Sequence, residues 1–166
     1  EVFVNAFWAI CKQVDLKRDD AKALRKIVMA DKYGTHFCPT ACNMLEYLIK
    51  ETNAKIVISS SWRSSGLQYM QDMWRERGLA GEVIDITPDA ARFNENGLWT
   101  TKERGYEIQE WLDKNPVEQY VIIDDDKDML PHQMPNFIQT DYVYGLSLDN
   151  VERAIKILNQ NDQNPA

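Results

Sequence analysis

Three short stretches of this chain gather side chains suited to holding charge. The first is Val121-Ile122-Ile123-Asp124-Asp125-Asp126-Lys127-Asp128, where an apolar run delivers four carboxylates within five residues. Such crowding costs repulsion unless a cation or hydrogen-bond donors offset it. A hard cation such as Mg²⁺ takes oxygen ligands and keeps several waters, so one or two of these acids suffice to hold it. The competing use is an acidic loop that caps the next turn and faces water. The second stretch, Ser59-Ser60-Ser61-Trp62-Arg63, follows another apolar run. Hydroxyls and backbone N–H groups ahead of a helix make an anion cradle, and they serve equally to cap that helix. The third, Thr101-Lys102-Glu103-Arg104-Gly105, sets cations at a helix start, where they oppose the helix dipole. Lys102 or Arg104 has a use there if it grips a phosphate; otherwise it is an exposed, flexible cation.

Chemistry at these positions requires strands that end together, because ligands of open parallel sheets sit at the C-terminal strand ends. Apolar runs alternating with helical periodicity predict such an α/β arrangement. Val2–Ile10 is β-rich, Lys17–Asp31 has helical spacing, and Tyr33–Pro39 reads as a loop carrying Gly34. Thr40 is placed to cap a helix running to Thr52. Lys55–Ser59 is the clearest buried strand, and Gly66–Arg77 a helix closed by Gly78. Glu82–Ile86 is a third strand, Thr87–Leu98 a loop, and Thr101–Asp113 a helix stopped before Pro116. Gln119–Ile123 is a strand ending in the aspartates, followed by a short strand Phe137–Thr140 and a helix Leu148–Leu158. One domain is expected over residues 1–158, with 159–166 a polar tail.

At 166 residues the chain is long enough to bury one core, and its 44% hydrophobic and 27% charged content is ordinary for a globular domain. No stretch approaches the roughly 18 apolar residues of a membrane span, and the start does not read as a signal peptide. Cys11, Cys38 and Cys42 follow no framework spacing and read as reduced thiols of a cytoplasmic compartment. A net charge of −7 argues against an extensive nucleic-acid surface. The basic group Lys12, Lys17, Arg18, Lys22, Arg25 and Lys26 is broken by Asp15, Asp19 and Asp20, as on a solvated helix face. His36 with Cys38 and Cys42 matches no standard zinc knuckle, and Asp85 and Asp89 read as strand-end and turn acids. His132 is read as a solvated loop histidine.

The order of strand and Ser-Ser-Ser-Trp-Arg, then Arg104-Gly105-Tyr106-Glu107-Ile108-Gln109-Glu110-Trp111-Leu112, then strand and Asp-Asp-Asp resembles the haloacid dehalogenase (HAD) phosphohydrolase superfamily. It is most similar to the small HAD domains of RNA-repair proteins and phages. The resemblance implies a Rossmannoid three-layer sandwich with a parallel central sheet, its strands ordered fifth, fourth, first, second, third, under a minimal cap at residues 11–40. So small a cap leaves an open site, suited to a macromolecular or extended phosphorylated ligand. The resemblance also implies a phosphatase that passes a phosphoryl group to an aspartate and then to water. The phosphate-holding hydroxyl then matches Ser59, with Ser60 and Arg63 beside it. The helix-start cation matches Lys102 or Arg104, and the Mg²⁺-binding acids match Asp124 and Asp125, with Asp128 next to them.

The family's first motif, Asp-x-Asp-Gly after an apolar strand, falls on Phe3-Val4-Asn5-Ala6-Phe7-Trp8. Asn5 replaces the nucleophile, Phe7 the acid/base and Trp8 the glycine. Asparagine is a poor nucleophile and no anionic ligand, and phenylalanine moves no proton. The resemblance therefore predicts a domain of phosphatase ancestry, impaired in this chain, that binds a phosphorylated ligand or a protein partner. The alternative is an active Mg²⁺-dependent phosphatase or phosphoesterase acting on nucleic-acid ends. Losing two anionic ligands at Asn5 and Phe7 weakens Mg²⁺ binding, so the cation is an expectation that this sequence only partly meets.

Overall fold

Short β-branched runs carry the sheet, since side chains branched at Cβ pack well on a pleated, buried surface. The computed structural model describes residues 30–89, 92–93, 99–100 and 103–160, with Asp20 alone outside these spans. In chain order the elements are β1 (Ala30–Asp31), β2 (Gly34–Thr35), α1 (Pro39–Thr52), β3 (Ile56–Ile58) and α2 (Leu67–Glu76). They continue with β4 (Val83–Ile86), β5 (Arg92–Phe93), β6 (Trp99–Thr100), α3 (Arg104–Lys114), β7 (Ile122–Asp124), β8 (Phe137–Gln139) and α4 (Leu148–Leu158). Single 3₁₀ turns at Ser61–Ser65 and Pro131–Asn136 follow β3 and precede β8.

β3 pairs with β4 in parallel, with Ile58 opposite Ile86 and an irregularity in register between Ile56 and Val57. β7 pairs with β8 in parallel, Ile123 opposite Ile138 and Asp124 opposite Gln139. The Thr140 N–H extends this ladder to the Asp124 carbonyl at 2.8 Å. Side-chain alternation along β7 and β8 serves two cores. Ile122 and Phe137 pack with Ile108 and Leu112 of α3. Ile123 and Ile138 pack with Leu48 of α1 and with Val151 and Ala154 of α4. Both faces of this pair are thus covered by helices, as parallel strands require. A third cluster joins Ile58 and Val83 to Met70 and Met73 of α2.

Most helix ends have local causes. Ser147 and Asn150 form a reciprocal cap at the start of α4: the Ser147 Oγ accepts from the Asn150 N–H, and the Asn150 Oδ1 accepts from the Ser147 N–H. The expected cap by Thr40 is not formed. α1 begins one residue earlier, on Pro39, whose fixed φ suits the first helical position and which has no N–H to satisfy.

Three other expectations are corrected. The helix predicted over Lys17–Asp31 does not include Ala30 and Asp31, which form an antiparallel hairpin with Gly34 and Thr35. The cause is tertiary. Asp31 accepts the Tyr33 N–H at 2.7 Å across the turn and pairs with the buried Arg77 guanidinium through contacts of 2.7 and 3.0 Å. Arg77 also donates to the Gly34 and Thr35 carbonyls and lies against the Phe37 and Trp62 rings. The remainder of that expected helix, apart from Asp20, and the whole expected strand Val2–Ile10 lie outside the described residues. The loop expected over Thr87–Leu98 contains β5, which pairs with β6 through Arg92 opposite Thr100 and Phe93 opposite Trp99. Finally, the helix expected from Thr101 starts at Arg104, with Glu103 in extended conformation at its cap.

The Arg77 guanidinium holds the Asp31 carboxyl down to about 2, from an ordinary value of 3.8. A carboxyl depressed by its folded partner contributes stability above its unfolded value and loses it as the pH falls through its folded value. The melting-temperature gap between the unmodified chain and Asp31→Asn is therefore wide at neutral pH and closes between 3.8 and about 2. A gap that does not narrow with acid would show that this pair is not its source.

Candidate active site

The turn after β3 and the end of β7 each reach the first turns of α3, through Arg63–Glu107 at 2.6 Å and Arg104–Asp124 at 3.0 Å. Just after β3 the Ser59 Oγ is buried and has no hydrogen-bond partner among the described residues. Ser60 is exposed, and its Oγ accepts the Trp62 N–H at 3.3 Å, capping the 3₁₀ turn. The cap engages Ser60 and the backbone and leaves the Ser59 hydroxyl out of it.

Arg63 turns inward. Its Nη1 donates to the Ser59 carbonyl at 2.8 Å and the Ser60 carbonyl at 3.1 Å. Its Nη2 lies 2.6 Å from the Glu107 carboxylate, both side chains being over nine-tenths buried. Nε alone lacks a partner. Arg63 was expected to bind phosphate; its guanidinium instead shapes the turn that presents Ser59.

At the other side of the corner, Arg104 opens α3. Its Nε lies 3.0 Å from Asp124 Oδ2, close enough for an ion pair though not aligned as a hydrogen bond. The backbone N–H groups of Arg104 and Gly105 donate to Asp128, to Oδ2 at 2.9 Å and to the carbonyl at 3.0 Å. An acid at a helix N-terminus is favourable, and the cation there is offset by Asp124. Asp128 Oδ1 is buried without a partner. Asp124 Oδ1 accepts the Asp126 N–H at 3.0 Å, and the Asp125 carbonyl accepts from Gln139 at 3.1 Å. Burial pushes the Asp124 carboxyl above its usual range, with Asp125 and Asp128 adding to the rise and the Asp126 N–H and Arg104 opposing it.

Gln133, fully buried, closes the corner from behind. It donates to the Gly105 carbonyl at 2.9 Å and accepts the Leu130 N–H at 3.0 Å. A Cβ on residue 105 would stand 2.5 Å from the Leu130 nitrogen, so only glycine lets α3 approach the aspartate loop this closely. Asp85 accepts the Trp111 indole N–H at 2.6 Å and the Ile86 N–H at 2.9 Å, which fits its reading as a strand-end acid. Thr87 follows it, 3% exposed, with an unpartnered hydroxyl. His132 meets the Gln109 side chain at 2.6 Å on the surface.

The structure brings Arg104, Asp124 and Asp128 together, and the Arg63–Glu107 pair links the turn after Ser59 to the same helix. Asn5, Phe7 and Lys102 lie outside the described residues. Sequence reasoning missed Glu107 and Gln133. Glu107 had a signal: it stands one turn after Arg104 and beside Ile108 and Trp111, an acid on a helix stripe that is otherwise apolar.

Among the described residues no group of three His, Cys, Asp or Glu side chains converges as a complete metal centre. The donor chemistry nevertheless fits a hard cation: carboxylate oxygens, one of them buried and unpaired on Asp128. Asp124, Asp125 and Asp128 do not converge as a preformed set, and one or two of them would hold such a cation and supply its negative charge.

The chain matches the family of the HAD domain in Swiss Army Knife RNA repair proteins over residues 11–151. It belongs to this family. No curated protein and no solved structure matches it. The span shared with the HAD family holds Ser59, Arg104 and the aspartate cluster, and it starts after Asn5, Phe7 and Trp8.

If Arg104 offsets the charge of Asp124 as the geometry requires, Arg104→Met moves the Asp124 carboxyl titration, followed by carbon NMR, to still higher pH. An unmoved titration would show that the ion pair is not made in solution.

Proposed function

We propose that this HAD domain binds a terminal phosphate of an extended ligand at the Ser59–Arg104 corner with Mg²⁺, and that the chain as written has lost the aspartyl chemistry of its family. The observation that carries the reading is the pair of buried oxygens without a hydrogen-bond partner among the described residues, Ser59 Oγ just after β3 and Asp128 Oδ1 in the loop after β7. Buried polar atoms ordinarily find partners, so such atoms on converging strand ends suit a bound group. The parallel pairs β3·β4 and β7·β8 match the two outer pairs of the expected five-strand order and support the three-layer sandwich; the segment Val2–Ile10, expected between them, lies outside the described residues.

In this reading Ser59 Oγ donates to a phosphate oxygen, and the exposed Ser60 turn adds backbone N–H groups. Arg104, or Lys102 beside it, neutralises charge on the phosphate. Mg²⁺, when bound by Asp124, Asp125 and Asp128, supplies further charge neutralisation at the phosphate. In the family's first motif Asn5 falls at the nucleophile's position in the sequence and Phe7 at that of the acid/base, and neither side chain can perform that step. What remains is recognition of a phosphorylated ligand or of a partner presenting one. Cys38 and Cys42, both free thiols, suit a cytoplasmic setting.

A second reading, an active phosphatase on nucleic-acid ends, is favoured by the match to RNA repair proteins over the segments that hold phosphate and metal.

Hydrolysis of an aryl phosphate separates the two. The unmodified chain is expected to be silent with and without Mg²⁺, and Asn5→Asp with Phe7→Asp to gain at least about 100-fold, the scale of restored acid–base chemistry. Turnover by the unmodified chain that disappears in Asp125→Ala would establish the second reading instead.

A further inference from the structure

Arg63 and Glu107 form an ion pair with both side chains withdrawn from water, 9% and 8% exposed, at 2.6 Å. Such a pair seldom adds net stability over apolar residues of the same size, because desolvation offsets most of the attraction. Its presence therefore asks for a use that packing alone does not supply. The placement of its two ends suggests one. Arg63 grips the Ser59 and Ser60 carbonyls at 2.8 and 3.1 Å, so its position sets that of the Ser59 hydroxyl. Glu107 stands on α3 one turn beyond Arg104, which reaches Asp124. Among the described strands β3 pairs with β4 and β7 with β8, so no backbone ladder links β3 to β7.

We propose that the Arg63–Glu107 pair is a positioning device that ties the Ser59 turn to α3 and so sets the spacing between the Ser59 hydroxyl and Arg104. This rests on the reading of the corner as a phosphate site. Neither residue touches the phosphate; Arg63 acts through Ser59, and Glu107 through Arg63. Arginine suits the task because its planar fork serves two carbonyls and a carboxylate at once, which a lysine ammonium on a flexible stem does less well.

The test measures inorganic phosphate binding by calorimetry with Mg²⁺ present, alongside the melting temperature. Glu107→Gln is expected to weaken phosphate about tenfold, the scale of one charge-assisted hydrogen bond misplaced. Arg63→Met combined with Glu107→Met removes both charges and is expected to recover most of the melting temperature that Glu107→Gln loses, while phosphate stays weak. Met73→Ala, a core truncation under β3 and β4, lowers the melting temperature and leaves phosphate affinity within about twofold. Full phosphate affinity in the double variant would overturn the positioning role and leave the phosphate site standing. Absence of phosphate binding in the unmodified chain, and in no variant regained, would overturn the site and the positioning role together.

Discussion

Two opposite charges withdrawn from water hold the turn after β3 against the helix that carries Arg104. Removing one partner of a buried ion pair costs about 3–5 kcal/mol, since the other charge is left without solvent or counter-ion. That cost makes Arg63–Glu107 a contact with a single low-energy geometry, and several features lean on it. Ser59 takes its place from the carbonyls that Arg63 grips. α3 takes its tilt from Glu107 at one point and from Asp128, which accepts the first N–H groups of the helix, at another. Gly105 permits the closeness of that second contact, and Gln133 seals it.

The electrostatics of the corner follow from this framework. The acids after β7 stand near one another and are partly withdrawn from water, which raises the Asp124 carboxyl. Arg104 and the Asp126 N–H offset that rise without cancelling it. A site built this way favours an added cation, because the cation relieves repulsion that the protein's own groups leave in place. Arg104, paired with Asp124, keeps a cationic group beside these acids. In the proposed reading, Mg²⁺ and phosphate would therefore support each other's binding at this site.

Much of this was legible in the residues. Lys55–Ser59 and Gln119–Ile123 are continuous apolar runs, and the strands Ile56–Ile58 and Ile122–Asp124 lie on them or within a residue of their ends. The helix Leu148–Leu158 has the bounds expected of it, and the Ser147 cap, found only in the structure, fixes its start. The serines and the aspartates were recognisable because a polar cluster after an apolar strand has few uses. What stayed hidden depends on partners distant in sequence. Nothing near Asp31 announces Arg77, yet that pair turns an expected helix end into a hairpin. The direction in which Arg63 points is set by Glu107, 44 positions away by their numbers, and no local pattern tells an inward arginine from an outward one. The β5–β6 hairpin was hidden for a different reason: its strands are two residues each, too short to show alternation.

The central claim is that one phosphate meets both strand ends at once. A crystal structure of the unmodified chain with Mg²⁺ and a short RNA bearing a terminal phosphate tests it most directly. Phosphate oxygens are expected within hydrogen-bond distance of Ser59 Oγ, with Arg104 or Lys102 beside them and Mg²⁺ against the Asp124–Asp128 carboxylates. A phosphate seated elsewhere, with Ser59 and Asp128 satisfied only by water, would contradict it.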